Sequence, residues 1–198
     1  MLTMTTNFYD ENAASFFENT VNVDMSALYQ RFTKHLPKGA RLLDAGGGSG
    51  RDSKAFLEMG YEVDALDASP KMVEMATELT GLPVQLKLFN EIYSQEEYDG
   101  IWTCASLLHV PHAELAASLE RLATALKPQG IWYVSFKYGE SERFKDGRHF
   151  TDLNEGMLAD LIQPLEDLEL IEFWVTEDAR PDRTEQWLNA ILKKDSFS

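Results

Sequence analysis

Cysteine is almost absent from the 198 residues: Cys104 stands alone, which excludes an intramolecular disulfide and a metal site built from clustered thiolates. Basic side chains are scarce as well. The 18 Lys and Arg against 33 Asp and Glu leave a net charge of −15, which repels nucleic-acid phosphates and anionic membranes. No apolar run approaches the roughly 20 residues of a membrane-spanning helix. Met1 to Asp10 lack the basic and apolar regions of a signal peptide, and no repeat or low-complexity tract stands out. What remains is 44% apolar and 11% aromatic, too much for a disordered chain and enough for one cored domain at about 150 residues per domain. The expectation is a soluble cytoplasmic protein with a small-molecule partner, no nucleic acid, no membrane and no metal.

Turn signals divide the chain regularly, at Pro37-Lys38-Gly39, Gly60, Gly81-Leu82-Pro83, Lys127-Pro128-Gln129-Gly130 and Gln163-Pro164. Met25, Leu28, Tyr29, Phe32 and Leu36 recur at helical spacing, with Asp24 as N-cap and Pro37 as stop. Short apolar runs at Leu42 to Asp44, Tyr61 to Asp67, Val84 to Phe89, Tyr98 to Cys104 and Ile131 to Phe136 read as strands. Helices fall between them: Lys54 to Met59, one from Ser69-Pro70 to Gly81, and one presenting Leu115, Leu119, Leu122 and Leu126 on a single face. This alternation predicts a doubly wound α/β domain with a parallel sheet. A helix from about Asp152 to Ile162 follows. Leu168 to Thr176 and Thr184 to Leu192 then read as an antiparallel hairpin at the sheet edge, although the second run would also suit a helix.

In such a sheet ligands bind beyond the carboxyl ends of the strands. The first strand runs into Asp44-Ala45-Gly46-Gly47-Gly48-Ser49-Gly50-Arg51. The dinucleotide spacing Gly-x-Gly-x-x-Gly fails here, because counting from Gly46 puts Arg51 in the last position and counting from Gly48 puts Ser53 there. Asp-x-Gly-x-Gly-x-Gly does fit. A carboxylate beside the loop repels a pyrophosphate but stabilises an ammonium. S-adenosyl-L-methionine carries an ammonium and a sulfonium and no phosphate. Asp67, at the end of the next strand, is placed to accept hydrogen bonds from ribose hydroxyls; Asp64 faces the other way by alternation and is read as structural.

The stretch LLDAGGGSGRDSKAFLEMGYEVDALDAS resembles the class I S-adenosylmethionine-dependent methyltransferases, and within them the tellurite-resistance type. The resemblance implies a Rossmann-like seven-stranded sheet whose last strand is antiparallel. It implies cofactor-binding roles for Asp44, Ala45, Gly46, Gly48, Gly50, Arg51 and Cys104, ribose binding by Asp67 and adenine contact by Ala68. Relatives often place an Asp after the third strand to accept from the adenine amino group, and here Asn90 or Glu91 stands in that region. His109 is a candidate general base, or alternatively a histidine that fixes its loop. Cys104 reads as packing rather than as a nucleophile.

Relatives use the N-terminal segment as a lid, so residues 1–23 are expected to form one over a single domain at 24–198, with Tyr9 as lid and catalytic candidate. Lys137, Tyr138, Arg148 and Phe150 are the substrate-wall candidates. Arg143 and Lys145 lie in the same stretch, and Arg180 and Arg183 could join from the hairpin loop. An anionic substrate group would explain that basic focus; a solvated loop balanced by Glu140 and Glu142 would explain it equally well. Against a methyltransferase stand two other readings, a non-catalytic cofactor-binding or interaction protein and a nicotinamide-dependent oxidoreductase, the latter opposed by the glycine spacing and Asp44.

Overall fold

The structure, a computed structural model, describes residues 2–196. Its strands are β1 (Arg41–Ala45), β2 (Glu62–Asp67), β3 (Gln85–Leu86), β4 (Tyr98–Thr103), β5 (Leu126–Lys137), β6 (Glu142–Lys145), β7 (Arg148–Thr151), β8 (Leu168–Glu177) and β9 (Gln186–Lys194). Its helices are α1 (Leu2–Glu11), α2 (Ala13–Thr20), α3 (Ser26–Thr33), α4 (Arg51–Glu58), α5 (Pro70–Thr80), α6 (His112–Ala125) and α7 (Glu155–Ile162). The main sheet has seven strands in the order β3-β2-β1-β4-β5-β9-β8. The pairs from β3 to β5 are parallel, and β9 runs antiparallel to both neighbours. The expected sheet, with its antiparallel last strand, is therefore present. The chain turns from one side of β1 to the other between β3 and β4, and a cleft opens at that switch point.

Strand alternation divides the core in two. Leu43, Ala45, Leu66 and Ile101 face Leu115, Leu119 and Leu122 of α6 with Leu158 and Ile162 of α7. Leu42, Val63, Trp102 and Tyr133 face Tyr29 and Phe32 of α3 and Phe56 of α4. Trp102 and Tyr133 stack at 4.0 Å between ring centroids. They anchor the second layer through dispersion and area burial.

Several boundaries differ from expectation. α3 begins at Ser26, because Asp24 Oδ1 accepts from the Ser26 amide in a local turn instead of capping the helix. It ends before Pro37, where the chain tightens through His35 N to Phe32 O and Leu36 N to Thr33 O bonds. The strand expected from Val84 to Phe89 shrinks to Gln85–Leu86, and Phe89–Glu91 forms a 3-10 turn. Lys127 to Gly130 do not end an element; they form an irregularity inside β5 opposite the Tyr98/Gly100 register shift. α7 starts at Glu155, since Asn154 Oδ1 accepts from Met157 N and Leu153 N donates to Lys137 O. Ser69 caps α5 as expected, and Gly81 closes it at φ +75°. The second tail run is strand β9, because its partners on both sides supply ladders that outweigh helix propensity. Glu142 to Thr151, expected as loop, folds into the β6–β7 ribbon.

Gly100 lets α3 lie close to the sheet centre: a Cβ there would sit 2.7 Å from Leu42 Cδ2 and 2.9 Å from Phe32 Cζ. Gly100→Ala is expected to lower unfolding free energy by about 1–3 kcal/mol through overpacking, read from the urea midpoint.

Candidate functional site

A cavity of about 440 Å³ opens at the carboxyl ends of β1, β2, β4 and β5, within the size range of small-ligand sites. Its floor is the glycine loop. Gly46 N and Gly47 N donate to Leu66 O at 2.8 and 3.0 Å, which ties the loop to β2. Gly46 has φ +81°, and a Cβ there would lie 2.4 Å from Ser106 Cβ, so no other residue fits this close approach. Ser106 is itself held, its Oγ donating to Ala45 O at 2.8 Å.

Three acids stand at this end. Asp44 is buried and does not line the cavity; it lies beneath Gly47 and accepts from Ser53 Oγ at 2.6 Å. Burial, then the nearby Asp52 charge, push its pKa up. Asp52 accepts from Arg51 Nε at 2.7 Å, Arg51 Nη2 at 3.1 Å, Tyr29 Oη at 2.5 Å and Trp102 Nε1 at 2.8 Å. Burial opposes its ionisation, but the Arg51 charge and these donors outweigh it and hold its pKa low. Asp67 accepts from Gly48 N and Ser69 N, both at 2.9 Å. Two donors leave a carboxylate's remaining lone pairs free for hydroxyls. Burial raises its pKa, against those backbone bonds.

Ala68, Met72, Leu88 and Phe89 form an apolar slot beside Asp67. Asn90 and Glu91 do not line it. Both are exposed, and Glu91 Oε2 accepts from Leu88 N at 2.8 Å, because the 3-10 turn carries them outward. Of the other expected cofactor residues, Gly48, Arg51, Ala68 and Cys104 line the cavity, whereas Ala45 and Gly50 lie behind its wall. Burial pushes the Cys104 thiol up to about 12, so it stays protonated at neutral pH. Ala105 after it holds a left-handed φ of +50°, backbone strain of the kind that collects at ligand sites.

Across the cavity, Tyr9 of α1 and His109 meet at 2.7 Å between the hydroxyl and Nε2. His109 Nδ1 lies 2.8 Å from His149 O. A carbonyl can only accept, so Nδ1 carries the proton, Nε2 accepts, and Tyr9 donates. Burial first of all pulls the His109 pKa down to about 4. Burial also raises that of Tyr9, countered in part by Arg148.

Lys137, Arg148 and Phe150 reach this wall. Tyr138 does not: it is 39% exposed and its hydroxyl donates to Glu155 at 3.0 Å, because strand alternation turns it away from its neighbour Lys137. Arg180 and Arg183 do line the cavity. The sequence reading missed Asp52, the Phe89 and Leu88 slot, and Asp10, which accepts from Ser69 Oγ at 2.5 Å. Asp52, in the first turn of a helix that follows a glycine loop, carried a local signal; the others did not.

A family model described as a methyltransferase domain matches residues 17–169. An uncharacterized methyltransferase of Staphylococcus carnosus is 26% identical over 187 residues, covering 89% of this chain and 90% of that protein. A ubiquinone biosynthesis O-methyltransferase of Xylella fastidiosa is 34% identical over 112 residues, 52% of this chain and 44% of its own length. The chain thus spans less than half of that second relative. Among solved structures, a Burkholderia thailandensis 1,6-didemethyltoxoflavin-N1-methyltransferase with bound 1,6-didemethyltoxoflavin and S-adenosylhomocysteine superposes with TM-score 0.79 at 21% identity, over 98% of this chain and 88% of that one. The [4+2]-cyclase SpnF superposes at TM-score 0.73 and 14% identity, over 96% and 94%. The family match covers most of the chain, and the superpositions establish the fold, which by itself does not choose the acceptor.

The depressed His109 pKa sets a pH dependence. Between about pH 6.5 and 4 the unfolded imidazole holds a proton that the folded one does not, so stability falls as pH falls. Asp44 and Asp67, whose pKa values are raised, act in the opposite sense in both proteins compared and cancel. The wild type is therefore expected to lose about 2 kcal/mol more than His109→Gln between pH 7 and pH 5 in urea melts.

Proposed function

We propose, from the premise that the chain belongs to the class I S-adenosylmethionine-dependent methyltransferases, that it methylates a small molecule enclosed between α1, the β6–β7 ribbon and the β8–β9 hairpin. One observation carries this reading. A single cavity joins the glycine loop and Asp67 to the wall formed by Tyr9, His109, Arg148 and Phe150, so cofactor and acceptor can share one enclosure.

The residues present fit the cofactor. The Gly46 to Gly48 backbone, with Asp44 beneath it, would take the amino-acid end. Asp67 would take the ribose hydroxyls, and the Ala68, Met72, Leu88 and Phe89 slot the adenine. Carboxylates at this end suit a cationic ligand and disfavour a pyrophosphate. When bound, S-adenosylmethionine supplies a methyl group already activated on sulfonium sulfur. The protein's share is alignment and exclusion of water, and fixed geometry of this kind can lower a barrier by roughly 7–11 kcal/mol.

With its pKa near 4, His109 is a weak base, since charging it at neutral pH would cost about 4 kcal/mol. Its role here is positioning. Its Nε2 accepts a hydrogen bond from Tyr9 and so fixes the direction in which that hydroxyl faces Arg148 and the acceptor space. The lid role of residues 1–23 is supported by the placement of Tyr9 and Phe16 on the cavity wall. The finer placement in the tellurite-resistance type is supported by the run around Asp44 and Asp67. The net charge of −15 favours a small molecule over nucleic acid as acceptor and is compatible with a cytoplasmic setting.

S-adenosylmethionine and S-adenosylhomocysteine are expected to raise the melting temperature, while NAD and NADP leave it unchanged. Asp67→Ala should weaken S-adenosylhomocysteine binding at least roughly tenfold by calorimetry, on the energy of hydrogen bonds to a charged group. Incubation with methyl-labelled cofactor and a metabolite extract should yield a labelled small product. Stabilisation by NAD alone would sink the reading, and cofactor binding without any labelled product would remove the catalytic part of it. In Tyr9→Phe and His109→Ala, kcat should fall with little change in cofactor affinity.

A further inference from the structure

Resting on the methyltransferase reading above, we infer that the acceptor is a planar carboxylate whose charge is held by Arg148. The basic focus of this wall resolves into cations paired with carboxylates and cations that are not, and among the described unpaired ones Arg148 is distinguished by a buried donor without a partner. Lys137 Nζ lies 3.0 Å from Glu185 Oε1. Arg180 Nη2 lies 2.7 Å from Asp178 Oδ2. Arg143 pairs with Asp152. Arg148 lines the same cavity, and among the described residues no carboxylate forms an ion pair with it.

The guanidinium is held by rings. Its carbon lies 4.2 Å from the Phe8 ring centroid and 5.1 Å from that of Phe150, with Tyr9 at 6.0 Å. Ring contacts partly offset the charge but supply no carboxylate to the in-plane N–H donors, one of which meets the Tyr9 hydroxyl. Nε is shut off from water with no hydrogen-bond partner, a costly state for a charged donor. A carboxylate offers two oxygens in one plane, and the guanidinium fork offers two parallel donors to match.

Charge across the cavity points the same way. Its lining carries as many basic as acidic side chains although the whole chain stands at −15. Asp52 and Asp67 at the glycine-loop end repel an anion, and so direct it to the far wall. Planarity follows from the walls there: Tyr9 and Phe150 present rings 5.4 and 5.1 Å from the His109 ring, which favours a flat, conjugated body. A tetrahedral phosphate would not lie flat between these rings as a carboxylate conjugated to the ligand body does.

The test uses the full chain saturated with S-adenosylhomocysteine and isothermal titration with benzoate, salicylate and quinaldate, each against its carboxamide, with phenyl phosphate as a further arm. At least one acid should bind about tenfold or more tightly than its amide, and phenyl phosphate more weakly than that acid. Arg148→Gln, with its fold checked by thermal melting, should bring acid and amide to within about twofold; Arg148→Lys, a point charge without the fork, should fall between. Equal binding of acids and amides, no binding by any of the three acids, tighter binding of phenyl phosphate, or discrimination that survives in Arg148→Gln would each overturn the inference. The wild-type comparison stands even where a variant does not fold. Failure of S-adenosylhomocysteine to bind at the outset would count against the methyltransferase reading itself; binding without discrimination would strike the acceptor class alone.

Discussion

The buried carboxylate of Asp52 is the constraint on which the site depends. It receives hydrogen bonds from Arg51, Tyr29 and Trp102, which belong to α4, α3 and β4. Arg51 extends the tie to α2, donating to Thr20 O at 3.3 Å. Removing one partner of such a buried pair costs about 3–5 kcal/mol, because the other charge is then stranded. Burial first, and then this charge, raise the pKa values of Asp44, Tyr29 and Cys104. One ionised group therefore fixes the approach of three secondary elements to the glycine loop.

From that node the cavity acquires a polarity. Its floor is built by backbone and acids near the sheet centre. Its roof is built by aromatic and basic side chains contributed from α1, the β6–β7 ribbon and the β8–β9 hairpin. The floor is rigid because each glycine-loop amide is tied to β2 or to the loop itself. The roof is held by single side-chain links, such as Tyr9 to His109 and Arg148 to Phe8. This division matches a site in which one ligand is common to a large family and the other is particular to the protein.

The floor was legible in the sequence because its information is local. Asp44, the glycines and Asp67 lie within one strand-turn-helix-strand run, where spacing fixes geometry. Asp52 joins Tyr29 across 23 residues and Trp102 across 50, and no pattern in a single chain announces such a pairing. The outward turn of Asn90 and Glu91 arises from a 3-10 turn after a two-residue strand, too short to carry a period. Alternation alone, applied to Lys137, sends Tyr138 to the other side, so its place off the wall is readable from the sequence. The ribbon at Glu142 to Thr151 is mostly polar, so nothing in its composition separated strand from loop. For His109 and Tyr9 the residue types were readable; their direct bond depends on α1 crossing above β7, which is a tertiary event.

Insertion of β9 between β5 and β8 bears on biosynthesis. Residues 186–194 complete two ladders at once, with Ile131 of β5 opposite Lys193 and Leu168 of β8 opposite Lys194. The floor residues precede β9 in the chain, and a polypeptide lacking β9 would lack Trp187 and Asn189 from the roof. Closure of the chamber therefore depends on the strand that is synthesised after every other element among the described residues.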